Sequence, residues 1–323
     1  MRKRLTALSA VAILSICIGS TAQAQTSLKI MVFPSLSNLA TYTAVNKGFF
    51  AKRGLAVEVL HTPNSEVLRE GLAKGNHQIV HAAVDNAVAM ADVANHDIAV
   101  ILGGDSGHNE LFVRPEIKSY DDIRGKTVLV DAPDTAYALL LYKMLDVKGL
   151  KKGDYQVKPI GAPLQRLKAM EDKTGVAALL SLPASITAQR QGLHSLGSAV
   201  DVVGAYQAGS AWVMRAWGRE NADTLVKYVQ AHVEGLRFAL ANKSESVALL
   251  SERLKLPPDV AARAYEFGLD PANGFAKDAK FNVDGFRNVL KLRAEMLGTW
   301  GGKPPAPEKY LDFSYYERAL AGL

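Results

Sequence analysis

Residues 44–58 read Ala-Val-Asn-Lys-Gly-Phe-Phe-Ala-Lys-Arg-Gly-Leu-Ala-Val-Glu, and they pass from one backbone grammar to another. The run 39–47 has helical spacing and stops at Gly48, the residue type that most readily takes the left-handed conformation closing a helix. Gly54 then marks a turn, and residues 56–60 alternate as a half-buried strand does. Residues 28–33, upstream, read as a strand, so the segment closes a strand–helix–strand unit. Such units build parallel sheets with helices on their faces.

The same grammar continues outward. A helix over 66–74 ends at Gly75, a strand covers 78–83, a helix capped by Asp85 covers 86–94, and a strand covers 98–102. The pattern restarts with a strand over 127–130, and the loop Asp131-Ala132-Pro133-Asp134 is expected to cap a helix over 135–146. Strands at 155–159 and 176–181 flank a helix at 164–171. Residues 209–215 form an extended return segment, and from 221 the chain is mainly helical, over 222–241, 244–254 and 283–297. Residues 301–307 break the pattern before a last helix over 315–321. At 323 residues and 48% hydrophobic content the chain exceeds one core and supplies apolar material for two. The expected division is lobe one over 25–112, lobe two over 113–210 and a mainly helical completion of lobe one over 211–323, with crossings near 111–114 and 209–215. Ligands of open α/β sheets sit beyond the carboxyl ends of the strands, so two facing sheets would surround one cleft with loops.

The first residues address the compartment. Arg2, Lys3 and Arg4 precede an almost wholly apolar run at 5–19, and Ala22-Gln23-Ala24 offers a small-x-small cleavage pattern. Residues 1–24 are therefore expected to be a signal peptide cut after Ala24, which places the protein in the periplasm. The single cysteine, Cys17, would leave with it, and bulky Ile16 before it makes a poor lipidation box. A mature chain without thiols excludes cysteine nucleophiles and thiolate metal sites. The formal charge of +6 includes the three leader cations, and no Lys/Arg-dense tract follows, so nucleic-acid binding is not expected.

Residues 44–58, taken with three later segments, resemble the nitrate/sulfonate/taurine-type and thiamine-pyrimidine-type periplasmic binding proteins of ABC transporters. The later segments are Leu72-Ala73-Lys74-Gly75, Asp122-Ile123-Arg124-Gly125-Lys126-Thr127-Val128 and Lys309-Tyr310-Leu311-Asp312-Phe313-Ser314-Tyr315-Tyr316. Four motifs in family order span nearly the whole mature chain. The resemblance implies an α/β type II periplasmic binding fold, two lobes with a ligand cleft between them and lobe two inserted into lobe one. It also implies a monomer that delivers a small organic solute to an inner-membrane permease by cleft closure, with no cofactor. Gln78 stands where an aspartate is frequent, and the Leu182-Pro183 region lacks the family's common Trp-Glu.

Candidate ligand residues follow from the loops after each strand. They are Ser35, Ser37 and Asn38; Asp85 and Asn86; Asp105, Ser106 and His108; Asp134 and Thr135; Ser181 and Pro183; and Tyr206 and Gln207 at the return crossing. Asp85, Asp134 and Ser37 also suit helix capping, and Tyr206 could cover a hinge. None of these residues is Arg or Lys while three are acidic, which points to a neutral or amine-bearing ligand, with a sulfonate as the alternative if Arg114, Arg166 or Arg190 reaches the cleft. His77 and His81 share the spacing of a helical metal site, but on a strand they would stand about 13 Å apart at ~3.3 Å per residue, so no metal is expected. Ser106 lacks a nucleophile elbow and no phosphate loop is present. Two other function classes stay open: an enzyme on the same scaffold, whose relatives use cysteine, and a periplasmic sensor.

Overall fold

The computed structural model describes residues 25–271 and 273–323; the expected leader and Cys17 lie outside the described residues. The chain runs β1 (Thr26–Val32), α1 (Leu39–Asn46), β2 (Leu55–His61), α2 (Ser65–Ala73), β3 (Ile79–Ala83), α3 (Asp85–Asp92) and β4 (Ile98–Leu102). It continues with β5 (Glu110–Val113), β6 (Thr127–Val130), α4 (Ala136–Asp146), β7 (Gln156–Pro159), α5 (Pro163–Glu171), β8 (Ala177–Leu180), α6 (Ala184–Arg190), β9 (His194–Ser198) and α7 (Val200–Val203). Strand β10 (Gly209–Met214) is followed by α8 (Arg215–Glu220), α9 (Ala222–Ala241), α10 (Lys243–Leu254), α11 (Pro258–Gly268), α12 (Val283–Leu297) and α13 (Ser314–Ala321).

Two five-stranded sheets result, in the orders β2-β1-β3-β10-β4 and β7-β6-β8-β5-β9. The strand–helix–strand unit at the amino end is parallel, β1 pairing with β2 from Thr26↔Leu55 to Val32↔His61, and Gly48 and Gly54 both take φ 72° at its turns. Each sheet holds one strand that lies antiparallel to its neighbours, and it is in each case the strand that follows a crossing. β5 lies antiparallel to β8 and β9, and β10 lies antiparallel to β3 and β4. Residues 111–114 and 209–215, expected as crossings, thus fall in or beside these strands, and the crossings lie just before them, at 103–109 and 199–208. Gln78, the departure from the family's aspartate, uses its side chain locally, its Oε1 accepting from the Lys29 N–H of β1 at 2.9 Å.

The carboxyl-terminal helices bind both sheets together. Apolar residues of the first sheet (Val80, Val100, Trp212), of the second (Val113, Val128, Leu179) and of α12 (Phe286, Val289, Leu290) form one continuous buried cluster. The closing motif is held on β4, where Val100 N–H donates to the Tyr310 carbonyl at 2.8 Å and Asp92 gathers the Trp300 indole N–H at 2.9 Å, the Tyr310 hydroxyl and the Lys309 ammonium. Strand β9 was not expected because its residues, His-Ser-Leu-Gly-Ser, are all half-buried and show no apolar alternation. Helix α11 opens at Pro258; a proline there looks like a breaker in sequence but suits a first helical turn, whose N–H groups lack partners anyway.

Helix α9 packs against α1 at Gly235. A Cβ there would overlap the Ala40 carbonyl oxygen and stand 2.9 Å from the Ala44 Cβ. Alanine normally stabilises a helix interior by ~1 kcal/mol over glycine, yet overpacking costs ~1–3 kcal/mol. Gly235→Ala is therefore expected to lower the melting temperature, and a variant melting above the parent would show that the two helices can separate without cost.

Candidate ligand-binding site

A pocket lies where the carboxyl ends of strands from both sheets face each other. The loop after β1 supplies Phe33, Pro34, Ser35, Leu36, Ser37 and Asn38; the first turn of α3, after β3, supplies Asn86; the loop after β4 supplies Gly103, Gly104, Asp105, Gly107 and His108. From the second sheet come Asp131, Thr135 and Tyr137 after β6, Pro163 and Arg166 after β7, and Ser181 and Leu182 after β8. His81, Ser210, His232, Leu236 and Phe275 complete the wall. The loops are held by their own polar groups: Asn38 Nδ2 donates to the Phe33 carbonyl at 2.6 Å. Gly104 is packed so closely on Gly209 that a Cβ would come 2.9 Å from its carbonyl oxygen, so only glycine lets the two crossing segments meet there.

Three groups of titratable side chains surround the space. Asp105, in the first crossing, accepts from the Gly107 N–H at 2.7 Å; burial pushes its carboxyl above the usual range, against hydrogen bonds from Ser37, Gly107 and Gly209 and the nearby His108. Burial likewise pushes His108 down, against the pull of Asp105, Asp270 and Glu110, and its Nε2 is buried without a hydrogen-bond partner. Tyr137, half-buried near Asp105, is pushed up by desolvation and by that charge. On the opposite wall, burial lowers Arg166 to about 10, which leaves it a cation at neutral pH. Asp131 reaches across to the first sheet's α2, its Oδ2 accepting from the Ser65 hydroxyl.

The floor carries two imidazoles. His81 Nε2 shares a 2.6 Å hydrogen bond with the Tyr228 hydroxyl, His232 Nδ1 shares one of 3.2 Å with Thr41 Oγ1, and the rings stand 5.0 Å apart. Burial drives both below the ordinary imidazole value, His232 to about 4, so both are neutral at pH 7. A cleft of this kind, apolar with a few convergent polar groups, is a small-molecule site. The described residues contain no group of three or more His, Cys, Asp or Glu arranged to hold a metal ion.

A family model described as NMT1/THI5 like matches residues 37–246, well over half the chain. The chain belongs to the NMT1/THI5-like family. A curated relative, the riboflavin-binding protein RibY of Chloroflexus aurantiacus, is 25% identical over 232 residues, which cover 70% of this chain and 65% of RibY; the match thus spans just under two thirds of that relative's length. Among solved structures, a protein from Bordetella bronchiseptica RB50 superposes with a TM-score of 0.81 at 20% identity, covering 93% of this chain and 98% of that one. The periplasmic nitrate-binding protein NrtA from Synechocystis PCC 6803 gives 0.76 at 14% identity, covering 93% and 89%. These likenesses show the periplasmic binding protein fold.

In this NMT1/THI5-like chain, eight of the residues singled out from sequence meet at the pocket: Ser35, Ser37, Asn38, Asn86, Asp105, His108, Thr135 and Ser181. The other six do not line it. Asp85 is the first residue of α3 rather than its cap; it is 2% exposed and paired with Arg293 at 3.2 Å. Asp134 is exposed, makes no side-chain cap on α4, and offers only its carbonyl, to Arg293 at 3.3 Å. The Ser106 hydroxyl turns to the Asn273 carbonyl at 2.7 Å. Pro183 follows Leu182, which takes the lining position. Tyr206 is buried in the shared core. Gln207 is consumed by the Gly209 carbonyl and by the Asn282 N–H at 2.7 Å. Of the three arginines named from sequence as able to reach the cleft, Arg166 lines the pocket, and Arg114 and Arg190 do not; sequence reasoning missed Ser65, His81 as a lining residue, Asp131, Tyr137 and His232. Asp131 is the first residue after β6, a position that the carboxyl-end rule could have flagged; His232, on the inner face of α9, leaves no local signal.

Arg293 is fully buried and bridges α3 of the first lobe to the loop before α4 of the second. Removing one partner of a buried pair costs ~3–5 kcal/mol because the other charge stays behind unpaired. Arg293→Met is expected to lose stability in that range by urea denaturation, and Asp85→Leu added to it is expected to restore most of the loss; no recovery in the double variant would mean that Arg293 acts through packing alone.

The histidines set a pH dependence. Unfolded, each imidazole takes up a proton near pH 6.5, whereas the folded protein refuses it down to about 4 at His232. Stability is therefore complete above about 6.5 and is lost as pH falls from there towards 4, by on the order of 3 kcal/mol for one such group. Asp85, whose carboxyl burial raises to about 6, acts in the opposite sense, stabilising the fold as pH falls below 6. His232→Asn is expected to flatten the acid loss between pH 6.5 and 4 in melting curves; an unchanged slope would show that another group carries it.

Proposed function

We propose that this chain is an exported substrate-binding protein that captures a small organic solute between its two lobes and delivers it to an ABC importer in the inner membrane. The observation that carries this reading is the pocket itself. Its wall is shared between loops of both sheets, and Asp131, from the second, already touches Ser65 of the first. A solute held by both walls would stabilise the arrangement in which they face each other, shifting the open–closed population. Residues 1–24 would direct export and be removed after Ala24. The two lobes would turn about the paired crossings at 103–109 and 199–208, which are joined by backbone hydrogen bonds from Ala199 N–H to the Asn109 carbonyl and from Ala208 N–H to the Asp105 carbonyl. Membership of the NMT1/THI5-like family supports this role.

Saturation with a true ligand at a hundred times its Kd is expected to stabilise the protein by ~2.7 kcal/mol and to reduce its radius of gyration in solution scattering. The liganded form is also expected to stimulate ATP hydrolysis by the reconstituted importer. A ligand that raises the melting temperature with neither compaction nor stimulation would overturn the transport reading.

A further inference from the structure

Two of the pocket's buried polar atoms are unspent, and they lie on the same wall. Arg166 is 2% exposed. Its Nη1 donates to the Gly161 carbonyl and its Nη2 to the Leu179 carbonyl at 3.0 Å, while its Nε is buried with no partner. The Asp131 charge acts on it, yet the two form no salt bridge among the described residues. Asp131 Oδ2 is taken by Ser65, and Oδ1 is buried with no partner. An unpartnered donor atom and an unpartnered acceptor atom thus belong to two residues that line the same cleft. A buried polar atom left unpaired costs about 1–3 kcal/mol, so a ligand that serves both atoms gains over one that serves neither.

The chemistry of that ligand group follows by comparison. An oxyanion such as a sulfonate or carboxylate is best held by a guanidinium whose forked N–H groups are free, and here one N–H of each Nη is already given to a backbone carbonyl; the Asp131 carboxylate would also repel it. A lone ammonium would meet the Arg166 charge and leave Nε unserved. A zwitterion would have to shed much of its hydration for one donor and one acceptor, at a site flanked by Pro163 and Leu182. A neutral group with a carbonyl and an N–H pointing the same way meets both atoms without such a cost. Open-chain secondary amides hold these two groups on opposite sides, since the cis form costs ~2.5–4 kcal/mol, whereas a ring amide presents them together as a fixed edge.

We propose that the pocket recognises the cis-amide edge of a cyclic lactam, imide or ureide, the ring carbonyl accepting from Arg166 Nε–H and the ring N–H donating to Asp131 Oδ1. This deepens the binding-protein reading and rests on it. The test is calorimetric titration of the full mature chain with δ-valerolactam, hydantoin, thymine and lumichrome, each paired with its N-methylated counterpart, and with taurine, nitrate and glycine alongside. At least one ring amide is expected to bind, and its N-methylated partner to bind at least tenfold more weakly. Asp131→Ala is expected to weaken the same ring amide at least tenfold. Arg166 also holds two backbone carbonyls, so its variants can fail for structural reasons; the N-methyl comparison on the unaltered protein tests the donor–acceptor pair without them. Equal binding of an N-methylated partner, no binding of any ring amide, or tightest binding by taurine, nitrate or glycine would overturn the proposal. Compaction on binding taurine, nitrate or glycine would leave the transport reading standing while ending this one, whereas a ring amide that binds without compaction would do the reverse.

Discussion

The pairing of two crossing segments at Asp105 is the constraint on which the arrangement depends. The Asp105 carbonyl accepts from both Ala208 and Gly209 N–H at 3.0 Å, so the strand leaving the first sheet and the one returning to it are tied to each other between the sheets. Gly104 against Gly209 allows that approach. Because β5 and β10 each begin just beyond this junction, each enters its sheet against the direction of its neighbours, and both sheets turn their carboxyl ends to the same space. The carboxylate of the same residue faces the pocket. One short loop therefore sets the relation of the lobes and contributes to the site between them.

Burial, rather than ion pairing, governs the electrostatics around that space. Asp85 and Arg293 touch, yet desolvation outweighs the attraction of Arg293 and Arg69 and holds the Asp85 carboxyl high, as expected where two charges leave water together. His81 and His232 lose their charge to the same effect. Neutral imidazoles can each donate and accept, so the floor offers hydrogen bonds without adding charge. The pair of Asp85 and Arg293 lies behind the pocket, where it joins the two lobes without competing for a ligand.

Much of the fold was legible in sequence because local chemistry and tertiary packing agree there. Gly48 and Gly54 take the positive φ that their positions as helix and turn closers imply, and α9 and α12 begin and end where the helical pattern does. Strand β9 and helix α11 were not legible, since a half-buried polar strand and a proline-led helix lack the periodicity that marks the others. In the site, the rule that ligands lie beyond strand ends located Asn38, Asn86, Asp105, Thr135 and Ser181. It failed for Asp85 and Asp134, where an acidic residue at a helix start is indistinguishable in sequence from a cap or a ligand contact. The structure assigns Asp85 to a cation 208 residues away in the chain, a pairing that only the tertiary fold creates.

Counting charges on loops favoured an amine-bearing ligand because the acidic candidates had no visible counterpart. Arg166, one of three arginines that the sequence left as able to reach the cleft, supplies that counterpart from the first turn of α5. Its presence does not convert the pocket into an oxyanion site, because what matters is which of its N–H groups remain free. A guanidinium whose fork faces outward clamps an anion; one whose Nη groups already serve backbone carbonyls keeps its charge in the wall and leaves its Nε–H as a directed donor. With Asp131 beside it, that donor is matched by an acceptor, and the wall is nearly neutral as a pair while each atom remains specific. On the proposed reading, selectivity follows from the direction of two hydrogen bonds in a largely apolar cleft rather than from net charge, which is why the composition of the loops alone points only to part of the answer.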